Sequence, residues 1–89
     1  MPPARRARAV IQLASTIRNL GKAEESIELL TGWLLENPQH SLTGAAKAFL
    51  ALSLTSAGRP VDGVAVALDA LAPLLPRYNR SVAGYAAEL

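Results

Sequence analysis

Two glycines that lie 37 residues apart, Gly21 and Gly58, constrain the fold of this 89-residue chain more than any other feature. Each separates two stretches in which apolar residues recur at steps of three and four residues, the spacing of an amphipathic helix. A glycine at the end of such a stretch readily adopts the left-handed backbone conformation that closes a helix with a tight turn. A helix–turn–helix unit repeated at this interval predicts an α-solenoid, a fold that works through its surfaces rather than through a catalytic centre.

The apolar periodicity predicts an all-α chain of five helices that forms a single domain over residues 1–89. We expect one helical hairpin at residues 4–38, a second at residues 42–76 and a final helix at residues 79–89. The four hairpin helices are expected at about residues 4–20, 23–37, 44–57 and 60–75. Pro73 should bend or fray the last turn of the fourth helix, because proline cannot donate a backbone hydrogen bond.

The composition indicates that part of the apolar surface is covered by something other than a small core. Apolar residues make up 51% of the chain and charged residues 18%, whereas average soluble domains carry about 25% charged residues. A chain of this length buries only somewhat more than about 60% of its unfolded surface. We therefore expect a neighbouring repeat, a second copy or a ligand to cover part of the apolar surface.

The chain lacks the residue sets that chemistry at a protein site requires. It contains no cysteine and a single histidine, His40, with no second metal-ligating histidine beside it. No serine lies in a nucleophile elbow, and no glycine-rich loop could cradle a phosphate. We therefore predict a protein that is not an enzyme and has no catalytic, cofactor-binding or metal-binding residues. No apolar run reaches the roughly 20 residues that span a bilayer, so we expect a cytoplasmic protein that uses neither a membrane nor a targeting segment.

The order of residues around the two glycines resembles that of the tetratricopeptide repeat family. In that family the first helix of a repeat carries a large apolar residue, a small one and a further apolar residue before the turn glycine, and the second helix carries a small residue. The chain shows this order twice, in Leu13, Ala14, Ile17, Gly21 and Ser26 and again in Leu50, Ala51, Leu54, Gly58 and Gly63. The resemblance implies an α–α superhelix of about two and a half helical hairpins.

Two departures from the family pattern accompany this resemblance. Trp33 stands where the family prefers alanine, and the interval of 37 residues exceeds the family's usual length of about 34. The segments 13–25 and 72–81 are also similar to a small bacterial subfamily of tetratricopeptide proteins with no assigned activity. Members of that subfamily are longer at the N-terminus, so the resemblance implies that this chain is the C-terminal part of such a protein and that one end of its solenoid is exposed.

The resemblance also implies a partner-binding face, because the first helix of each repeat lines the concave side of such solenoids. By register, the predicted partner-binding residues are Arg8, Ile11, Ser15, Arg18, Ala45, Ala48, Leu52 and Thr55. This face would be basic at one end and apolar at the other, which suits an amphipathic helix or an extended peptide with an acidic end. Alternatively, these residues pack against the fifth helix or against another subunit.

We therefore predict a protein–protein interaction and self-association module that binds a protein or peptide and forms a homodimer. Self-association is favoured because so few repeats leave apolar ends open. The alternative is a small nucleic-acid-binding helical protein that uses Arg5, Arg6 and Arg8 near its N-terminus. Nucleic acid is the less favoured partner, because these three arginines have no aromatic residues between them.

Overall fold

The computed structural model describes residues 2–89, and within them the chain forms five α-helices and no strand. The bounds are α1 (Pro3–Asn19), α2 (Ala23–Glu36), α3 (Thr43–Ser56), α4 (Pro60–Leu71) and α5 (Asn79–Ala87), with a short 3₁₀ helix at Ala72–Leu74. The predicted all-α architecture is confirmed. None of the helices among residues 2–89 combines the length and the hydropathy needed to cross a bilayer.

The two glycines end α1 and α3 with the same turn. Gly21 and Gly58 have φ angles of 82° and 81°, in the left-handed region that glycine adopts without steric cost. In both turns the glycine N–H donates to the carbonyl three residues before it, and the next N–H donates to the carbonyl five residues before its own position. These bonds satisfy carbonyls that the end of a helix would otherwise leave unpaired. The predicted turn geometry is confirmed at both positions.

The fourth helix ends earlier than the sequence predicts. We expected it to continue to Leu75, but α4 ends at Leu71 and the chain then forms the 3₁₀ helix. Pro73 accounts for the difference, because it has no N–H for an α-helical hydrogen bond and its ring crowds the carbonyl one turn before it. The backbone therefore tightens, and Leu75 has extended dihedral angles.

The two hairpins stack through α3, which contacts both α1 and α2. α5 packs against α4 and the 3₁₀ helix, and among the described residues no Cα atom of α5 lies within 8 Å of a Cα atom of α3. The stacked helices enclose one apolar cluster of buried side chains. Its members are Ala7, Ile11, Ala14, Leu30, Trp33, Ala46, Leu50 and Leu54.

Within each hairpin, a small residue lets the second helix lie directly against a carbonyl of the first. A Cβ atom added to Gly63 would lie 2.8 Å from the carbonyl oxygen of Ala51 and 2.9 Å from Oγ1 of Thr55. Ser26, 37 residues earlier, is fully buried and donates from Oγ to the carbonyl oxygen of Ala14 at 2.8 Å. The contact between the paired helices therefore depends on a missing side chain in the second hairpin and on a hydrogen bond in the first.

A second hydrogen bond joins the hairpins to each other. The hydroxyl oxygens of Ser26 on α2 and Ser53 on α3 lie 2.8 Å apart, and both residues are buried. Because the Ser26 proton is directed to the Ala14 carbonyl, Ser53 is the donor in this pair. The interface between the hairpins thus combines apolar packing with one oriented polar contact.

Replacing Gly63 with alanine should destabilise the protein by about 1–3 kcal/mol, because the added methyl group meets a backbone oxygen and α4 has to move away. Gly32 provides the control, since nothing lies within 4 Å of a Cβ atom at that position on α2. Gly32→Ala should stabilise the protein by about 0.5–1 kcal/mol. Urea unfolding followed by circular dichroism measures both changes, and a Gly63→Ala protein as stable as the Gly32→Ala protein would contradict the argument.

Removing the serine pair tests the polar contact between the hairpins. Ser26→Ala should cost about 1–3 kcal/mol, because it leaves the buried Ser53 hydroxyl without its acceptor, whereas Ser53→Ala should cost about 0.5–1.5 kcal/mol. The double variant should cost less than the sum of the two single variants, since it leaves no orphaned hydroxyl. A double-mutant cycle in urea measures this coupling, and additivity within about 0.3–0.5 kcal/mol would show that the pair is not coupled.

Candidate functional site

An open apolar groove runs between α3 and α4. Its volume is about 380 Å³, and its lining is Ala48, Ala51, Leu52, Thr55, Gly63, Val64 and Ala67. Leu52 and Val64 are 49% and 51% exposed. Two large apolar side chains, one from each helix, are therefore half in contact with water. We call this surface the α3/α4 groove.

The α3/α4 groove is the repeat equivalent of a surface that is covered in the first hairpin. Each of its residues lies 37 positions after one of Ile11, Ala14, Ser15, Arg18, Ser26, Ile27 and Leu30. All seven of those residues are buried or half-buried. Three of them belong to the apolar cluster that also contains Leu50 and Leu54 of α3. The first hairpin therefore shows what this surface accommodates, which is one α-helix.

Small side chains make the α3/α4 groove wider than its equivalent in the first hairpin. Ala48 and Ala67 stand where the first hairpin has Ile11 and Leu30. Gly63 adds no side chain at all and places the α4 backbone against α3. A helix that binds here must therefore supply the volume that these residues lack.

Four of the eight predicted partner-binding residues lie on α3. Ala48, Leu52 and Thr55 line the α3/α4 groove. Ala45 is exposed near the start of the same helix, outside this lining. The structure brings three of these four residues together on an open surface, and their role in binding a partner stays a prediction.

The other four predicted residues lie on α1, where α3 covers most of them. Ile11 is buried in the core, Ser15 and Arg18 are half-buried, and Arg8 is exposed. The eight residues therefore do not form one continuous open face. The physical reason is that the stacking of α3 on the first hairpin covers positions that remain open in the second.

The sequence predicts that Val64 and Ala67 lie on the core side of the fourth helix and that Gly63 lets the paired helices approach. The core assignment is wrong for Val64 and Ala67, which are exposed and form one wall of the groove with Gly63, opposite Ala51 and the α3 residues. The interval of 37 residues was the signal that could have identified them. Some residues of the first hairpin are covered only by α3 of the second hairpin. The residues 37 positions later lack such a cover in the described part of the chain and are therefore exposed to solvent.

The groove lining carries no charged side chain. Its one hydroxyl group belongs to Thr55, which donates to the carbonyl oxygen of Ala51 at 2.9 Å. Arg18, the expected basic end of the binding face, is the repeat equivalent of Thr55 and lies on the first hairpin. Within residues 2–89, its Nη1 atom is buried and has no hydrogen-bond partner, while Nη2 lies 3.4 Å from Oδ1 of Asn19.

The N-terminal arginines form a separate feature on α1. Arg5, Arg6 and Arg8 are exposed. Arg6 lines a pocket of about 270 Å³ together with Glu36. The negative charge of the Glu36 carboxylate opposes the approach of a phosphate group to this pocket. Within residues 2–89, no three His, Cys, Asp or Glu side chains are close enough together to hold a metal ion.

Comparison with known proteins places the whole chain in one family pattern. A family model described as "Tetratrico peptide repeat" matches residues 1–89. No curated protein matches the chain. No solved structure matches it either.

Replacing Arg18 with methionine should raise the free energy of unfolding by about 1 kcal/mol. A buried polar group without a partner costs about 1–3 kcal/mol, and methionine retains the packing of the arginine stem. Arg8→Met, at an exposed position on the same helix, should change stability by less than about 0.5 kcal/mol. Thermal unfolding compares the two variants, and a loss of stability in Arg18→Met alone would show that the guanidinium makes a favourable contact.

Proposed function

Because the chain belongs to the tetratricopeptide repeat family, we propose that it is a non-catalytic scaffold that binds an α-helix of a protein partner in the α3/α4 groove and associates with copies of itself. The observation that carries this proposal is the correspondence between the groove and the surface of the first hairpin on which α3 packs. A surface that accommodates a helix within the chain has the shape to accommodate one from another protein. Binding of an amphipathic helix in an apolar groove is a recurring mode of peptide recognition.

The groove also defines the chemistry of the helix that it would bind. Ala48, Ala67 and Gly63 leave space at the floor, so the bound helix should present leucine, isoleucine or phenylalanine at helical spacing. With no charge in the lining, the affinity should come from burial of apolar surface, which contributes about 25 cal/mol for each Å² removed from water. Binding of this kind should respond weakly to salt, because salt screens interactions between charges.

The groove is poorly suited to catalysis. The Thr55 hydroxyl is its one nucleophilic group, and that proton is directed to the Ala51 carbonyl. No imidazole, carboxylate or amine among the lining residues could accept the proton. The arrangement supports binding rather than bond-making at this surface.

A fluorescent peptide of residues 43–56 is a suitable probe for the groove, because this segment, α3, packs as a helix on the equivalent surface of the first hairpin. We expect the full chain to bind it, and Leu52→Asp to weaken binding by about tenfold or more, because the carboxylate would be buried beside apolar surface. Leu74→Asp is the matched control, since Leu74 is 78% exposed on the 3₁₀ helix and does not line the groove. Fluorescence anisotropy measures the dissociation constants.

Circular dichroism should show that both variants retain the helical content of the parent chain. Binding should also change by less than about threefold between about 50 and 500 mM salt. Equal binding by Leu52→Asp and Leu74→Asp, or a steep loss of binding with salt, would place the bound peptide outside the groove.

A further inference from the structure

We propose that copies of this chain join head to tail, with α1 of one copy lying in the α3/α4 groove of the next. The inference rests on the proposed helix-binding role of that groove and names its occupant as a second copy of the chain. The interface between the hairpins joins two surfaces, and each of them has a repeat equivalent elsewhere in the molecule. One side is the groove, and the other is an open apolar face of α1.

The open face of α1 is the repeat equivalent of the α3 face that packs on the first hairpin. Leu50 of α3 is 8% exposed, whereas Leu13, its equivalent 37 residues earlier, is 52% exposed. Leu54 is likewise buried and its equivalent Ile17 is half-buried. We call the residues Val10, Leu13, Ile17 and Leu20 the α1 stripe. Leu13 and Leu20 are its exposed members, whereas Val10 is half-buried against the apolar cluster of the same molecule. The stripe has the pattern of a helix face that packs on a hairpin, and within residues 2–89 no hairpin covers Leu13 and Leu20.

The side chains of the proposed interface compensate one another in size. In the contact between the hairpins, Ser26 meets Ser53 at 2.8 Å. Between two copies, the equivalent residues would be Gly63 in the groove and Thr16 on α1. The smaller residue would face the larger one, which conserves the volume of the contact. The Thr16 hydroxyl already donates within its own helix, to the Gln12 carbonyl oxygen at 3.0 Å, so its burial would leave no orphaned donor.

The charge distribution of α1 also fits an uncharged groove. No charged residue occurs between Ala9 and Ile17. Val10 takes the place that Lys47 holds on α3, and Lys47 itself is paired with Asp69 at 2.8 Å. The α1 stripe is therefore more apolar than the α3 face, and its burial in the groove would not desolvate an unpaired charge.

The last helix leaves the groove accessible to a second copy. α5 faces α4 across a depression lined by Ala65, Val66 and Asp69 of α4 and by residues of α5. None of these three α4 residues lines the α3/α4 groove. α5 and the incoming α1 would therefore use different sides of α4.

Such an interface joins two different surfaces, so it is heterologous. Each copy has one groove and one α1 stripe, and a dimer retains one of each for further copies, which gives longer assemblies or closed rings. One helix in a groove buries less than the roughly 800 Å² per partner of a standard interface. We therefore expect association at micromolar rather than nanomolar concentrations.

Two variants with complementary defects test this arrangement in the full chain. Leu13→Asp disrupts the α1 stripe and retains the groove, and Leu52→Asp disrupts the groove and retains the stripe. Sedimentation velocity from about 10 µM to 1 mM should show that the mass of the parent chain rises with concentration. Each variant alone should be monomeric, and an equimolar mixture should form a one-to-one dimer. Leu74→Asp should associate as the parent does.

Other outcomes would overturn the proposal in distinct ways. A parent chain that is monomeric at about 1 mM excludes head-to-tail joining, and binding of the 43–56 peptide by that monomer would leave the helix-binding function intact. A mixture that stays monomeric, or a Leu52→Asp protein that associates as well as the parent, shows that α1 does not use the groove. If either aspartate variant loses helicity, Leu13→Gln or Leu52→Gln replaces it in the same experiment.

Discussion

The packing of α3 across α1 and α2 is the interaction on which the rest of the structure depends. It buries the aliphatic faces of three helices in one cluster and aligns the two hairpins through the buried serine pair, Ser26 and Ser53. Because the packing is made by the first helix of one repeat on both helices of the preceding repeat, it also determines which surfaces remain open. The same contact thus accounts for the core, for the covered half of the predicted binding face and for the groove in the second hairpin.

A small residue at the start of each second helix makes this packing possible. In the first hairpin the Ser26 hydroxyl contacts both the Ala14 carbonyl and the Ser53 hydroxyl, so one side chain ties α2 to α1 and to α3. In the second hairpin Gly63 lets α4 lie so close to α3 that an added Cβ atom would be 2.8 Å from the Ala51 carbonyl oxygen, but it has no side chain with which to hold a following helix. The helices that form the groove therefore pack on each other as the helices of the first hairpin do. The difference is that no helix within residues 2–89 lies on the second pair at the position that α3 takes on the first. α5, which packs elsewhere on α4, does not fill it.

The sequence was sufficient to predict the elements that depend on local chemistry. The left-handed turns follow from Gly21 and Gly58, and the distorted end of α4 follows from Pro73, although the helix ends four residues before the expected Leu75. The binding face was predicted less completely, because exposure depends on which repeat covers which. Ile11 and Ala48 occupy the same position in their repeats, yet one is buried and the other lines the groove. The spacing of apolar residues within one repeat is the same at both positions, so it does not predict which of the two residues is buried.

The high apolar content of the chain is concentrated partly on surfaces that stack in a repeat protein. An array of two hairpins has one internal interface and two ends, so a large share of its stacking surface faces outward. Here those ends are not equivalent: the α1 stripe is a convex helix face, and the α3/α4 groove is the concavity that such a face occupies inside the molecule. In longer arrays, repeats with polar outer faces cover the ends. Here Leu13, Leu52 and Val64 are half exposed on these two surfaces, and the proposed packing of α1 of one copy in the groove of the next would remove all three side chains from water.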